Sequence, residues 1–156
     1  MKIHTVMELN VKHYSCLDIY ELHKIYKARV DVFVVEQNCP YPELDGLDLD
    51  AYHLWLEDDG ELVAYLRVLP AGARFDEVSV GRVLSLRRRE GHARRLLEAG
   101  IECAKREYGA AAIRIEAQTY AAELYRSVGF RQTSEEFLED GLPHIEMLWE
   151  EELPNE

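Results

Sequence analysis

Val83-Leu-Ser-Leu-Arg-Arg88-Arg-Glu-Gly91-His-Ala93-Arg-Arg-Leu-Leu97 is the stretch whose reading decides the fold. A strand ends, a basic turn with one glycine follows, and an amphipathic helix begins at once. Such a turn aims backbone N–H groups and the positive end of a helix dipole at one point, which suits a phosphate or pyrophosphate. Gly91 lets the backbone approach an anion closely, Ala93 leaves the first helical turn unobstructed, and Arg88, Arg89 and Arg94 add charge. A basic helix start also reads as a merely solvated face. No GxGxxG is present and no Gly-Lys-Ser/Thr follows, so neither a dinucleotide fingerprint nor a P-loop fits.

Working outward, residues 92–107 place Ala93, Leu96, Leu97, Gly100, Ile101 and Ala104 on one helical face, ended by Gly109. Upstream, runs 53–57 and 61–69 flank Asp58-Asp59-Gly60, a hairpin signal, and a third run covers 77–84. Residues 2–9 alternate weakly as a first strand. Ser15 with Asp18 resembles a capping box, opening a helix with Ile19, Leu22, Ile25, Tyr26 and Val32 at helical spacing. Residues 36–50, with Pro40, Pro42 and Gly46, read as loop. Downstream come a short strand (111–117), a helix (120–128) closed by Gly129, and strands 130–137 and 144–150 joined by a turn at 139–143. The expected fold class is α/β, a mixed, mostly antiparallel sheet flanked by helices on both faces, in one domain over residues 1–156.

Composition narrows the partners. Thirty acidic residues against 18 basic ones leave a formal charge of −12, which repels nucleic acid and favours a cationic substrate such as an amine, unless the excess only solubilises the surface. No apolar run approaches the roughly 20 residues that span a bilayer, and the start MKIHTVMELN does not read as a signal peptide, so no membrane partner and a cytoplasmic location are expected. Cys16, Cys39 and Cys103 form no CxxC pair or zinc spacing, so reduced thiols and no metal are expected. The acidic residues Glu43, Asp45, Asp48 and Asp50 do not match a calcium loop. They either attract a cationic acceptor or form solvated surface, the second being preferred.

Arg88-x-x-Gly91-x-Ala93, after a strand ending at Val83, resembles the acyl-CoA-binding motif of the GNAT N-acetyltransferase superfamily. Tyr125-Arg-Ser-Val-Gly129-Phe130 resembles that superfamily's second motif, whose tyrosine commonly protonates the leaving thiolate. Residues 111–117 fall where the family has the strand that splays from its neighbour. The chain is similar to the ElaA-like subfamily in particular, through Arg29–Tyr41, Glu43, Asp45-Gly46, Asp48, His53-Leu54, Gly81-Arg82-Val83, Ala117-Gln118 and Asp140-Gly141-Leu-Pro143-His144. The resemblance implies acetyl-CoA as co-substrate, held by Val83, Leu84, Arg88, Arg89, Glu90, Gly91, His92, Ala93 and Arg94. It implies a small-molecule or peptide amine as acceptor, and it leaves a homodimer open.

Acyl transfer to an amine needs a bound acyl-CoA, a polarised thioester carbonyl, a neutral amine and an acid for the thiolate. A free N–H at the end of strand 77–84 supplies the second. Tyr125, with tyrosine's pKa of roughly 10 against a thiol's roughly 8.5, suits the fourth, and its alternative is a packing role. Glu36, His53, Glu116 and His144 are the candidate bases, with water as a further possibility. Glu36 ranks first for acceptor contact, with Gln118 and His144 beside it. A non-catalytic acyl-CoA sensor is the competing class. A toxin acting on charged tRNA fits the fold but not the acidic balance.

Overall fold

A computed structural model describes residues 7–152. Strand β1 (Glu8–His13) leads through a 3-10 turn to helix α1 (Ile19–Arg29), which continues as a π-helical segment, Val30–Glu36. A loop containing the 3-10 turn Gly46–Asp50 precedes strands β2 (Tyr52–Asp58), β3 (Glu61–Leu69) and β4 (Ser79–Ser85). Helix α2 (His92–Tyr108), β5 (Ala112–Gln118), the short α3 (Ala122–Arg126), β6 (Arg131–Gln132), β7 (Phe137–Glu139) and β8 (Leu142–Glu150) complete the order. Every ladder is antiparallel: β1-β2-β3-β4 form one sheet, and β5-β8-β6 with β7 on β8 form the other. A parallel bridge between Val78 and Ile113 links them.

Alternation along the strands gives the sheet its two faces. Leu54, Leu56, Ala64, Leu66 and Val68 pack under Leu96, Leu97, Ile101 and Ala104 of α2. Trp55, Tyr65 and Leu84 point the other way, onto Ile25 and Ala28 of α1. The expected layering therefore holds, because each helix presents one apolar stripe to one side of a sheet buried on both.

Three local expectations shift. The first strand lies at Glu8–His13 rather than 2–9, and the expected residues 2–6 fall outside the described chain. Pairing with β2, from Glu8 opposite Glu57 to His13 opposite Tyr52, sets its position. The capping box is Asp18 with Glu21, not Ser15 with Asp18: Glu21 N–H donates to Asp18 Oδ1 at 2.8 Å and Asp18 N–H to Glu21 Oε1 at 3.0 Å. Ser15 instead sits in the preceding 3-10 turn. The expected strand 130–137 splits into β6 and β7, since Glu146 N–H donates to the Ser134 hydroxyl at 2.9 Å in place of a ladder bond.

Within the acidic loop Asp50 is exposed, as the solvated reading expects, but Glu43 and Asp48 are buried and Asp45 is half-buried. Glu43 and Asp48 are 4% and 1% exposed, and three arginines neutralise the loop. Arg29 holds Glu43 at 2.9 Å and Asp48 at 2.8 Å, Arg67 holds Asp45 at 2.7 Å and Asp48 at 2.9 Å, and Arg82 holds Glu43 at 2.9 Å. Burial alone would raise the Asp45 pKa, but the hydrogen bond from Arg67 and the charges of Arg67, Arg82 and Arg29 hold it below its ordinary value.

Candidate functional site

Beyond the Val78–Ile113 bridge, where Arg114 N–H donates to the Val78 carbonyl at 3.0 Å, no ladder joins β4 to β5 among the described residues. The gap between the diverging strands opens into a cleft of two lobes, about 770 Å³ and about 160 Å³, which share Phe33, Gln37, Val83, Gln118, Tyr120 and Tyr125 in their walls. The larger lobe is floored by the basic turn and the start of α2. The smaller lobe is lined by Arg74, Glu116, Glu139 and His144 among others.

Gly91, at φ 76°, is the left-handed residue that turns the chain into α2, and no side chain caps that helix end. The first intrahelical bond runs from Arg95 N–H to the Gly91 carbonyl at 3.1 Å, so the amides of His92, Ala93 and Arg94 precede it. Val83, Leu84, Arg88, Arg89, Gly91, His92, Ala93 and Arg94 all line the larger lobe. Glu90 does not; its carboxylate lies 3.5 Å from His92 Nε2.

Strand β4 is irregular where it enters the cleft. Tyr65 pairs with Leu84 and Arg67 with Gly81, so Leu66 alone faces both Arg82 and Val83. Arg82 takes φ 53°, which marks a bulge. Bulges re-aim peptide groups, and this one lies beside Val83 in the wall of both lobes.

Tyr125 reaches the cleft from α3. Its ring packs edge-on against Phe130, centroids 5.7 Å apart. Gly129, at φ 105°, supports that placement: a Cβ there would lie 3.1 Å from Trp149 Cδ1. The residue is 8% exposed and faces both lobes, and its hydroxyl has no hydrogen-bond partner among the described residues. Burial, then the neighbouring Tyr120, raises its pKa well above tyrosine's ordinary value, so it stays protonated through the neutral range.

The remaining predicted residues divide between the lobes. Glu36 lines the larger lobe and pairs with Arg88 there, so it does not join His144 in the smaller one. Gln118 lines both and donates to Gln37 Oε1 at 3.4 Å. His144 Nδ1–H donates to the Leu142 carbonyl at 2.8 Å, and its Nε2 faces Glu139 Oε2 at 3.9 Å. Arg74 bridges Glu116 at 2.6 Å and Glu139 at 3.5 Å. Burial, then hydrogen bonding to Glu139, holds Glu116 above the ordinary carboxylate range, against the pull of Arg74. His53 is excluded from the cleft: it is fully buried between the Asp48 carbonyl at 3.0 Å and the Tyr65 hydroxyl at 2.6 Å.

Phe33 and Gln37 escape sequence reasoning because a π-helical segment, which leaves no periodic mark, turns them toward the cleft. Arg74 lies in a loop with no signal. Among the described residues no group of three or more His, Cys, Asp or Glu is arranged to hold a metal, and no helix is long and apolar enough to cross a membrane.

Residues 22–151 match the acetyltransferase (GNAT) domain family. A UPF0039 protein of Schizosaccharomyces pombe is 43% identical over 145 residues, covering 90% of this chain and 95% of that protein. The crystal structure of Escherichia coli ElaA superimposes with a TM-score of 0.86 at 35% identity, over 93% of this chain and 100% of that one. An acyl-CoA N-acyltransferase from Pseudomonas aeruginosa gives 0.84 at 38% identity, over 91% and 99%.

Proposed function

The chain belongs to the GNAT acetyltransferase family and is of the ElaA-like kind, and from that premise we propose that it transfers an acetyl group from acetyl-CoA to a primary amine by direct attack. The observation that carries this reading is the convergence on one cleft of an uncapped helix start and the unpartnered hydroxyl of Tyr125.

In this reading the larger lobe takes the cofactor. The amides at His92–Arg94 and the side chains of Arg88, Arg89 and Arg94 hold the pyrophosphate, with Arg88 exchanging Glu36 for phosphate oxygens. The thioester lies beside Val83, where a β4 peptide N–H polarises its carbonyl. The amine enters through the smaller lobe, where His144 Nε2 or the Glu116 carboxylate accepts its proton. The amine nitrogen attacks the carbonyl carbon, the C–S bond breaks, and the Tyr125 O–H proton passes to the departing thiolate. Glu36 then serves the cofactor mouth rather than the acceptor.

A thiol-release assay with acetyl-CoA against amino acids, polyamines, aminoglycosides and lysine peptides tests this. Turnover with at least one amine is expected. Binding of acetyl-CoA without turnover on any of them would instead favour a sensor.

A further inference from the structure

Glu43 lines neither lobe, yet its carboxylate joins α1, β4 and the loop that carries Tyr41. Oε1 accepts from Arg29 Nε of α1 and from Arg82 Nε of β4, each at 2.9 Å, and Oε2 accepts from the Tyr41 hydroxyl at 2.6 Å. The Glu43 carbonyl accepts again from Arg29 Nη2 at 3.1 Å and Arg82 Nη2 at 3.2 Å. The Arg82 guanidinium lies over the Tyr41 ring, 5.7 Å from its centroid. Arg82 is therefore gripped at Nε and Nη2 and covered on one face.

That grip coincides with a backbone anomaly. Arg82 holds φ 53° within a strand, a conformation a bulky L residue adopts only where its surroundings over-determine it. The residue next to it is Val83, in the wall of both lobes. A buried ion cluster is weak evidence for stability, since well-packed apolar residues often serve as well, which leaves geometry as its better-supported use.

We propose that Glu43 is a positioning residue for acyl transfer: acting through Arg82, it holds the β4 bulge and so fixes the aim of the Val83 peptide group at the reacting carbonyl. This rests on the acyltransferase reading above. The mechanism predicts a particular pattern, because glycine at position 82 accepts a positive φ without strain but loses the grip.

The test compares wild type, Glu43→Gln, Arg82→Gly and the double variant. Melting temperature, acetyl-CoA affinity by calorimetry, kcat and KM with an amine acceptor, and the infrared carbonyl stretch of bound, carbonyl-labelled acetyl-CoA are measured. In Arg82→Gly, kcat should fall roughly tenfold or more, as for a misaimed reacting group. Acetyl-CoA affinity should stay within about twofold, since the pyrophosphate site is untouched. The carbonyl stretch, lowered on binding to wild type, should return toward its free value. The double variant should lose no more than Arg82→Gly alone. A wild-type stretch and kcat in Arg82→Gly would overturn the proposal, as would losses that add in the double variant and follow melting temperature. Should Glu43→Gln fail to fold, Arg82→Gly decides. If wild type binds acetyl-CoA but turns over no amine, the stretch decides. If wild type does not bind acetyl-CoA, the underlying reading falls and this proposal with it.

Discussion

Val78 and Ile113 are bridge partners at the point where β4 and β5 diverge, and the cleft begins where their contact ends. Arg114, the next residue along β5, secures that point. Its Nε and Nη2 donate to Glu77 at 3.0 and 2.7 Å, and Nη1 pairs with Glu146 on β8. The two sheets are thus tied at one end and open at the other, and in the proposed function a cofactor extends from the α2 amides into that gap.

The α2 amides yield the first prediction. Gly91 has open space around a would-be Cβ but sits at φ 76°, so any side chain there adds strain. Gly91→Asn and Gly91→Asp share that strain and differ in charge. The Asp variant should bind acetyl-CoA at least tenfold more weakly than the Asn variant, on the order of 1.4 kcal/mol, because its carboxylate opposes the pyrophosphate. Equal Kd values by calorimetry would remove the pyrophosphate from this turn.

Gly129→Ala should destabilise the protein by about 1–3 kcal/mol, the usual scale for backbone strain of this kind. The added methyl meets Trp149 at 3.1 Å while φ 105° disfavours an L residue. A melting temperature within a degree of wild type would show that the α3–β6 turn relaxes freely.

His53 predicts a pH dependence of stability. Burial holds its folded pKa below 6.5, although the hydrogen bond to the Asp48 carbonyl opposes this. The unfolded chain therefore takes up a proton that the folded chain refuses. Stability should fall as pH drops from about 7.5 to 5.5, by at most about 1.4 kcal/mol per unit for one proton. His53→Gln retains an N–H for the carbonyl and should flatten the slope. An unchanged slope would mean that another group sets it.

How far the sequence carries depends on the range of the interaction. The strand, basic turn and α2 are legible because a periodic apolar face and a left-handed glycine leave local marks. Glu43 and Asp48 are misread as solvated because their partners Arg29, Arg67 and Arg82 lie on three separate elements, and pairing across a fold leaves no periodic trace. Glu36 follows the same rule: the π-helical turn sets it toward Arg88 rather than toward Glu116 and His144. Glu116, His144 and Tyr125 are found as residue types with suitable chemistry, but only the splay of β5 puts them around one space.

The three cysteines carry a further test of environment. All are free, with Cys16 exposed, Cys39 half-buried and Cys103 buried. Burial pushes the Cys103 thiol up to about 11. A thiolate-selective reagent on native protein near neutral pH should therefore modify Cys16 first and Cys103 last, while denatured, unreduced protein should titrate three thiols. Early loss of Cys103 would contradict its placement on the buried face of α2.

The most direct test of acyl transfer in this cleft is Tyr125→Phe. The ring that packs on Phe130 remains, and only a hydroxyl without a protein partner is removed, so melting temperature and acetyl-CoA affinity should barely move. With an amine that wild type acetylates, kcat and kcat/KM should fall together by roughly 10²-fold, the scale of losing a general acid whose contact is made in the transition state. Full turnover in a folded Phe variant would contradict the account and reduce Tyr125 to packing.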